Sequence, residues 1–211
     1  MMKRWLFKGE LTRTSQAVVA LAALCMVGAI FLPLWRMTMI SNQYPDGLIM
    51  WIYSSKIQGD LQEINILNHY IGMHPLDADH FVELRILPYV FGLGALVCLA
   101  AALLRRRLFT SLALLGGVAV GLSSMGVLFY ELYNYGHNLD PRAPIDVEPF
   151  MPPPMGSSQL ANFHVTTTLH AGSIMFILAL LGLMAALWLS RPRPAVAPSQ
   201  AAAARPATGN L

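Results

Sequence analysis

Charge is scarce in this chain. Of 211 residues only 12% are Asp, Glu, Lys or Arg, against about a quarter in ordinary soluble domains. Mean hydropathy is +0.52. That deficit excludes a disordered chain and argues against a soluble enzyme. Cysteine is nearly absent too. Cys25 and Cys98 are the two, each inside an apolar block, so they read as small packing residues. No disulfide framework, Cys-x-x-Cys redox pair or Cys-x-x-Cys-His covalent haem attachment is present. The phosphate-cradling Gly-x-x-x-x-Gly-Lys is missing, so no nucleotide is expected, and so are Gly-x-Ser-x-Gly and His-Glu-x-x-His. With no catalytic motif, the expectation is that the protein is not an enzyme.

Apolar residues are abundant, and they fall in four blocks. Residues 17–35, 86–104, 108–130 and 165–190 carry no charged side chain. At about 1.5 Å rise per residue, the shortest covers about 28 Å, close to the roughly 30 Å of a bilayer's hydrocarbon. Backbone in lipid must satisfy its own hydrogen bonds, so these blocks are expected as helices. Gly116, Gly117, Gly121 and Gly126 in the third block allow close helix contact. The expected fold is an all-α membrane protein, a four-transmembrane-helix bundle with a periplasmic cap formed by two outer loops. The first block has no small-x-small cleavage pattern and reads as a retained anchor.

Basic residues orient the bundle. Lys3, Arg4, Lys8, Arg13, Arg105, Arg106, Arg107, Arg191, Arg193 and Arg205 fall on one side; Arg36, Lys56, Arg85 and Arg142 fall on the other. By the positive-inside rule both termini are cytoplasmic, and the expected location is a bacterial inner membrane. The layout is a cytoplasmic arm (1–16) with Trp5, Leu6 and Phe7 as an interfacial anchor, a periplasmic loop (36–85), a cytoplasmic turn (105–107), a Pro-rich periplasmic loop (131–164) and a disordered cytoplasmic tail (191–211). The basic pI reports topology, so the partner is the lipid bilayer and no nucleic acid is expected.

Within the first outer loop, Tyr44-Pro45-Asp46-Gly47 reads as a turn. Leu61, Ile64 and Leu67 or Asn68 recur at helical spacing, which predicts a short helix over 61–70. The second loop is extended, with Met151-Pro152-Pro153-Pro154-Met155 as a stiff polyproline run.

The six histidines share one side. His69, His74, His80, His137 and His164 fall in the outer loops, and His170 falls near the outer end of the fourth block. The densest group is Asn68-His69-Tyr70-Ile71-Gly72-Met73-His74, with His80 following. Imidazoles with a thioether and no thiolate suit copper, the reduced ion above all. The candidate metal ligands are therefore His69, Met73, His74 and His80, with His164 and His170 behind them. The competing reading is that Tyr70, Ile71 and Met73 pack the loop down and leave the histidines in water. His170, within a span, is either functional or a helix-locking hydrogen-bond partner of Glu131 or a neighbouring threonine.

The strings Leu67-Asn68-His69-Tyr70-Ile71-Gly72-Met73 and Glu83-Leu84-Arg85-Ile86-Leu87-Pro88-Tyr89, with Tyr44-Pro45-Asp46-Gly47-Leu48 upstream, resemble small four-span bacterial inner-membrane proteins associated with nitrous oxide reductase and periplasmic copper-handling systems. The resemblance covers about a quarter of the chain. It implies an accessory role in copper supply or maturation of a periplasmic cuproenzyme, with other membrane or periplasmic proteins of that system as partners. Two further readings stay open: a membrane anchor or quinol-facing electron-transfer subunit, with His170, Glu131 and Tyr130 forming a polar pocket, and a ligand-free scaffold.

Overall fold

In a computed structural model the described residues are 7, 9–160 and 162–191. The expected anchor residues Trp5 and Leu6, and the Pro- and Ala-rich tail beyond Arg191, lie outside them. Four helices are long and apolar enough to cross a membrane: α1 (Arg13–Phe31), α3 (Val82–Leu104), α4 (Arg107–His137) and α5 (Ala171–Leu189). Between them come strands β1 (Trp35–Ser41), β2 (Tyr44–Ile52) and β3 (Ile57–Gly59), the short helix α2 (Leu61–Tyr70), and strands β4 (Gly156–Leu160) and β5 (Phe163–Leu169).

The five strands form one antiparallel sheet in the order β3-β2-β1-β5-β4. This overturns the all-α expectation: the fold is a mixed α/β one, a helical bundle carrying a sheet at one end. Two sequence features account for the difference. Trp35-Arg36-Met37-Thr38-Met39 alternates with period two, and its burial follows, with Trp35 and Met37 buried. Val165-Thr166-Thr167-Thr168 lacks charge, which made it look like part of the fourth span. A β-branched run is a poor helix former and a good strand former. It is β5, with Val165 and Thr167 buried and His164 and Thr168 exposed. The helix begins only at Ala171. Tyr44-Pro45-Asp46-Gly47 is likewise strand and not turn. The reversal is at Asn42-Gln43, between the paired Ser41 and Tyr44.

The helix ends have local causes. Thr12 caps α1, its Oγ1 accepting from the Ser15 N–H at 3.2 Å. Pro33 ends that helix by withholding a donor. Arg105 turns the chain between α3 and α4 in the left-handed region, φ 56°.

Inside the bundle the core is rich in small residues, with Ala22, Ala23, Ala95, Cys98, Ala101, Ala113, Ala179 and Ala186 buried around a few large ones, Leu11, Met26 and Leu183. Many of the large ones point out, with Leu24, Leu96, Leu103 and Leu122 well exposed. This arrangement suits helices whose surroundings are as apolar as their interior, where close backbone approach drives association. A polar knot ties the end remote from the sheet. Ser190 Oγ donates to Ser15 Oγ at 2.7 Å, Ser15 Oγ donates to the Ala186 carbonyl at 2.9 Å, and Gln16 Nε2 donates to the Ala102 carbonyl at 2.8 Å.

At the other end, β1 follows α1 after three residues and β5 leads into α5 after one. These strands pair in register, Trp35 with Leu169 and Met37 with Thr167. The junction is tight. His170 N–H donates to the Leu34 carbonyl at 2.9 Å, and Gly172 N–H to the Pro33 carbonyl at 2.8 Å.

Candidate functional site

The sheet has an inner and an outer face. Trp35, Met37, Met39, Met50, Ile52, Val165 and Leu169 share the inner one by register. Below it stand α2 and the ends of α3 and α4. Helix α4 has 31 residues, about 46 Å at 1.5 Å per residue. That exceeds the roughly 30 Å of a bilayer's apolar layer, so its last turns continue up to the sheet. The sheet, α2 and these helix ends do not close on one another completely. Between them lies a half-open apolar chamber of ≈ 1590 Å³. Its wall runs from Met37, Met50 and Tyr135 under the sheet down to Val118, Phe176 and Leu180 in the span region.

Each loop contributes a wall held by specific bonds. The predicted α2 presents Ile64 and Asn68 inward, both buried. The second outer loop is joined to α2 and α4 by backbone bonds: Asp140 N–H to the Gly72 carbonyl at 2.8 Å, Ile145 N–H to the Tyr70 carbonyl at 3.0 Å, and Phe150 N–H to the Gly136 carbonyl at 3.0 Å. The polyproline run, whose three prolines have no N–H of their own, is fastened from the sheet. Trp35 Nε1 donates to the Pro154 carbonyl and Thr167 Oγ1 to the Pro153 carbonyl, both at 2.8 Å.

The chamber wall is mostly apolar, and its charged residues are all of one sign. Glu83, Glu131 and Glu148 contribute to it, whereas no Lys, Arg or His among the described residues does. Glu131 lies close enough to Glu83 and His80 to interact electrostatically with both. Five methionines, Met37, Met39, Met50, Met73 and Met125, also line it. Among the buried polar atoms without a hydrogen-bond partner in the described residues, only Asn68 Nδ2 belongs to a chamber residue.

The histidines are placed elsewhere. His69, His74 and His80 are exposed on α2 and the segment after it. His164 is exposed on the sheet's outer face, between Ile40 and Gln159. His170 caps the start of α5, with a buried Nδ1 that has no partner among the described residues. His137 stacks on Tyr133 at 3.8 Å between ring centroids. Among the described residues no three His, Cys, Asp or Glu side chains gather into a group that could hold a metal ion. Of the candidate ligands only Met73 reaches the chamber wall. Of the pocket expected from His170, Glu131 and Tyr130, only Glu131 does.

Asn68, Glu83 and the sheet methionines are what a histidine-centred reading passes over. Asn68 had a visible signal: a polar residue four positions after Ile64, on the apolar stripe of an amphipathic helix. The methionines alternate along β1, which is legible once that stretch is read with period two.

Comparison with known proteins finds no matching family model, no matching curated protein and no matching solved structure. What the fold defines is a class: four helices of membrane-spanning character joined to an antiparallel sheet, with an apolar chamber between them.

Proposed function

We propose that this is a non-catalytic inner-membrane accessory protein that holds one amphipathic, apolar-tailed molecule in its chamber. The observation that carries the reading is the continuity of the wall, from span-level Val118 and Leu180 to the sheet's inner face. A molecule drawn from the bilayer keeps its tails in apolar surroundings along that path. Its head reaches the few polar groups beneath the sheet. Ligand sites are commonly apolar cavities with a few placed polar groups. The basic residues at the bundle's remote end support a cytoplasmic position for that end and a periplasmic one for the sheet.

Leu132→Trp tests this reading. Leu132 lines the chamber and packs on the cluster beneath the sheet, and an indole there fills ligand space. Native mass spectrometry of the detergent-released wild type is expected to show one lipid-sized adduct, which the Trp variant loses while keeping its melting temperature. Equal adducts on both proteins reject the reading.

A second reading, copper supply to a periplasmic cuproenzyme, is favoured by one feature. Met37 and Met50 are direct cross-strand partners, both buried on the chamber wall, and paired thioethers suit reduced copper. Titration with Cu(I) should then give one equivalent in wild type and none in Met37→Leu/Met50→Leu. If binding is instead lost in His69→Ala/Met73→Ala/His74→Ala and kept in the methionine pair variant, the ion belongs at the end of α2 and the segment after it.

A further inference from the structure

We propose that the outer face of the sheet, at the end next to the spans, binds the phosphate of an anionic phospholipid between Arg36 and Lys56. The inference uses the membrane-spanning character of the four long helices and is independent of what fills the chamber.

Both cations are placed at the level where the spans end. Arg36 opens β1 just past α1, and its strand partner Thr168 closes β5 just before α5. Lys56 sits in the hairpin between β2 and β3, and that hairpin is tied to the last turn of α1, where Ser54 Oγ donates to the Ile30 carbonyl at 2.8 Å. The Lys56 ammonium lies over the Tyr53 ring, 5.1 Å from its centroid. Register fixes the face. Gln58, Trp51, Arg36 and Thr168 are partners in one row across four strands, on the side opposite to Trp35 and Met37. Lys56 precedes Gln58 by two residues, which puts it on the same side. Two strand spacings across and two residues along separate Arg36 from Lys56, about 12 Å between Cα atoms. Side chains of that length can close such a gap on one phosphate.

Neither cation has a counter-ion. Arg85 is paired with Asp79 at 3.0 Å, whereas no ion pair or hydrogen bond to a described residue occupies the side chain of Arg36 or Lys56. Arg36 Nε is buried, which holds the stem against the sheet, while its two Nη groups are not buried and remain for a ligand. A guanidinium offers paired donors that match phosphate oxygens. All of the chain's 11 acids except Glu10 fall on the sheet's side of the bundle. Yet the row through Arg36 holds none, and neither does the next, made of Ile49, Thr38, Thr166 and Ser157. Asp60, just past β3, accepts from the Ile49 N–H at 2.7 Å. The second outer loop is fastened to the opposite face, through Thr167 and Trp35.

What lies next to the site makes a lipid the source of the phosphate. Phe31 on the last turn of α1 is 73% exposed and Ile174 on the first turn of α5 is 52% exposed, so acyl chains have apolar helix surface to run along. A soluble anion gains nothing from that surface. Trp51 and Tyr53 beside the cations are of the residue types that settle at head-group level.

The full chain in detergent is titrated with phosphatidylglycerol and with phosphatidylcholine of the same tails, read by native mass spectrometry. Wild type is expected to bind phosphatidylglycerol about fivefold or more tighter, with the difference shrinking at high salt. Arg36→Gln/Lys56→Gln should bring the two lipids within about twofold of each other, whereas Arg142→Gln, in the other outer loop, should change nothing. Arg36→Lys should lose part of the preference, because the charge stays and the fork goes. Glycerophosphoglycerol, the same head without tails, should not compete at the lipid's concentration; equal competition assigns the site to a soluble anion and overturns the lipid. Equal binding of both lipids by wild type, or a preference intact in the double variant, overturns the site. If the double variant does not fold, Lys56→Gln decides, since its exposed side chain has no core packing to lose, and an unreduced preference there is equally fatal. Leu132→Trp should keep the preference; its loss in that variant places the phosphatidylglycerol in the chamber, which overturns the surface site and leaves the chamber reading standing.

Discussion

Gly136→Val is expected to unfasten the second outer loop from α4. Gly136 is buried on the last turns of that helix, and its carbonyl receives the Phe150 N–H. A Cβ built there collides with the Phe150 carbonyl oxygen, which is backbone and has no rotamer through which to retreat. The loop must move, and with it go the Phe150 bond and the contact of Pro152 with the same turn. Overpacking of this kind typically costs about 1–3 kcal/mol and more where backbone is the obstacle. The loss should show as a lower thermal midpoint and as cleavage by added protease between 138 and 155. The same substitution at Gly116, where nothing lies near the added atom, should leave both unchanged.

The second large effect separates adjacent residues. Thr167 is 1% exposed on the inner face of β5, and Thr168 is exposed on the outer face. Thr167→Asp buries a carboxylate on the sheet's inner face, opposite Met37, and removes the hydroxyl that donates to the Pro153 carbonyl. An uncompensated buried charge costs about 3–5 kcal/mol. Thr168→Asp should cost under about 0.5 kcal/mol, as exposed substitutions usually do. The contrast is read by chemical unfolding in detergent. It also tests the sheet itself, because a helix through 165–170 has no reason to alternate with period two. Similar losses at both positions would contradict β5.

How far the sequence carried can be seen in particular residues. Four spans were legible because a bilayer demands length and low charge, and both are counted directly. The predicted helix over 61–70 followed from Leu61, Ile64 and Asn68 at helical spacing. Residues 48–53 read as a short strand or an interfacial segment, and β2 covers most of them, but β1 and β5 are hidden because absence of charge says nothing about period. Residues 165–169 are as free of Asp, Glu, Lys and Arg as the helix that follows them, and only the threonine run told them apart. The first charge-free block runs through Trp35, but Pro33 forbids a continuous helix that far and α1 ends at Phe31. The chamber was harder to foresee. Its wall draws on β1, β2, α2, α3, α4, β5 and α5, and no local pattern encodes a gap between elements that far apart in the chain. Histidines are conspicuous by their chemistry, whereas the chamber residue with an unpartnered buried polar atom among the described residues is an asparagine.

The strand order has a consequence for biogenesis. β1 is a central strand, yet its neighbour β5 is synthesised only after α2, α3, α4 and β4. Until the ribosome has delivered β5, the edge of β1 from Trp35 to Ser41 stands open, ready to pair with any passing extended segment. Assembly is therefore slow by design of its connectivity. A nascent chain arrested before residue 163 should be a target for quality-control proteases, even though three of its four long apolar helices have already been made.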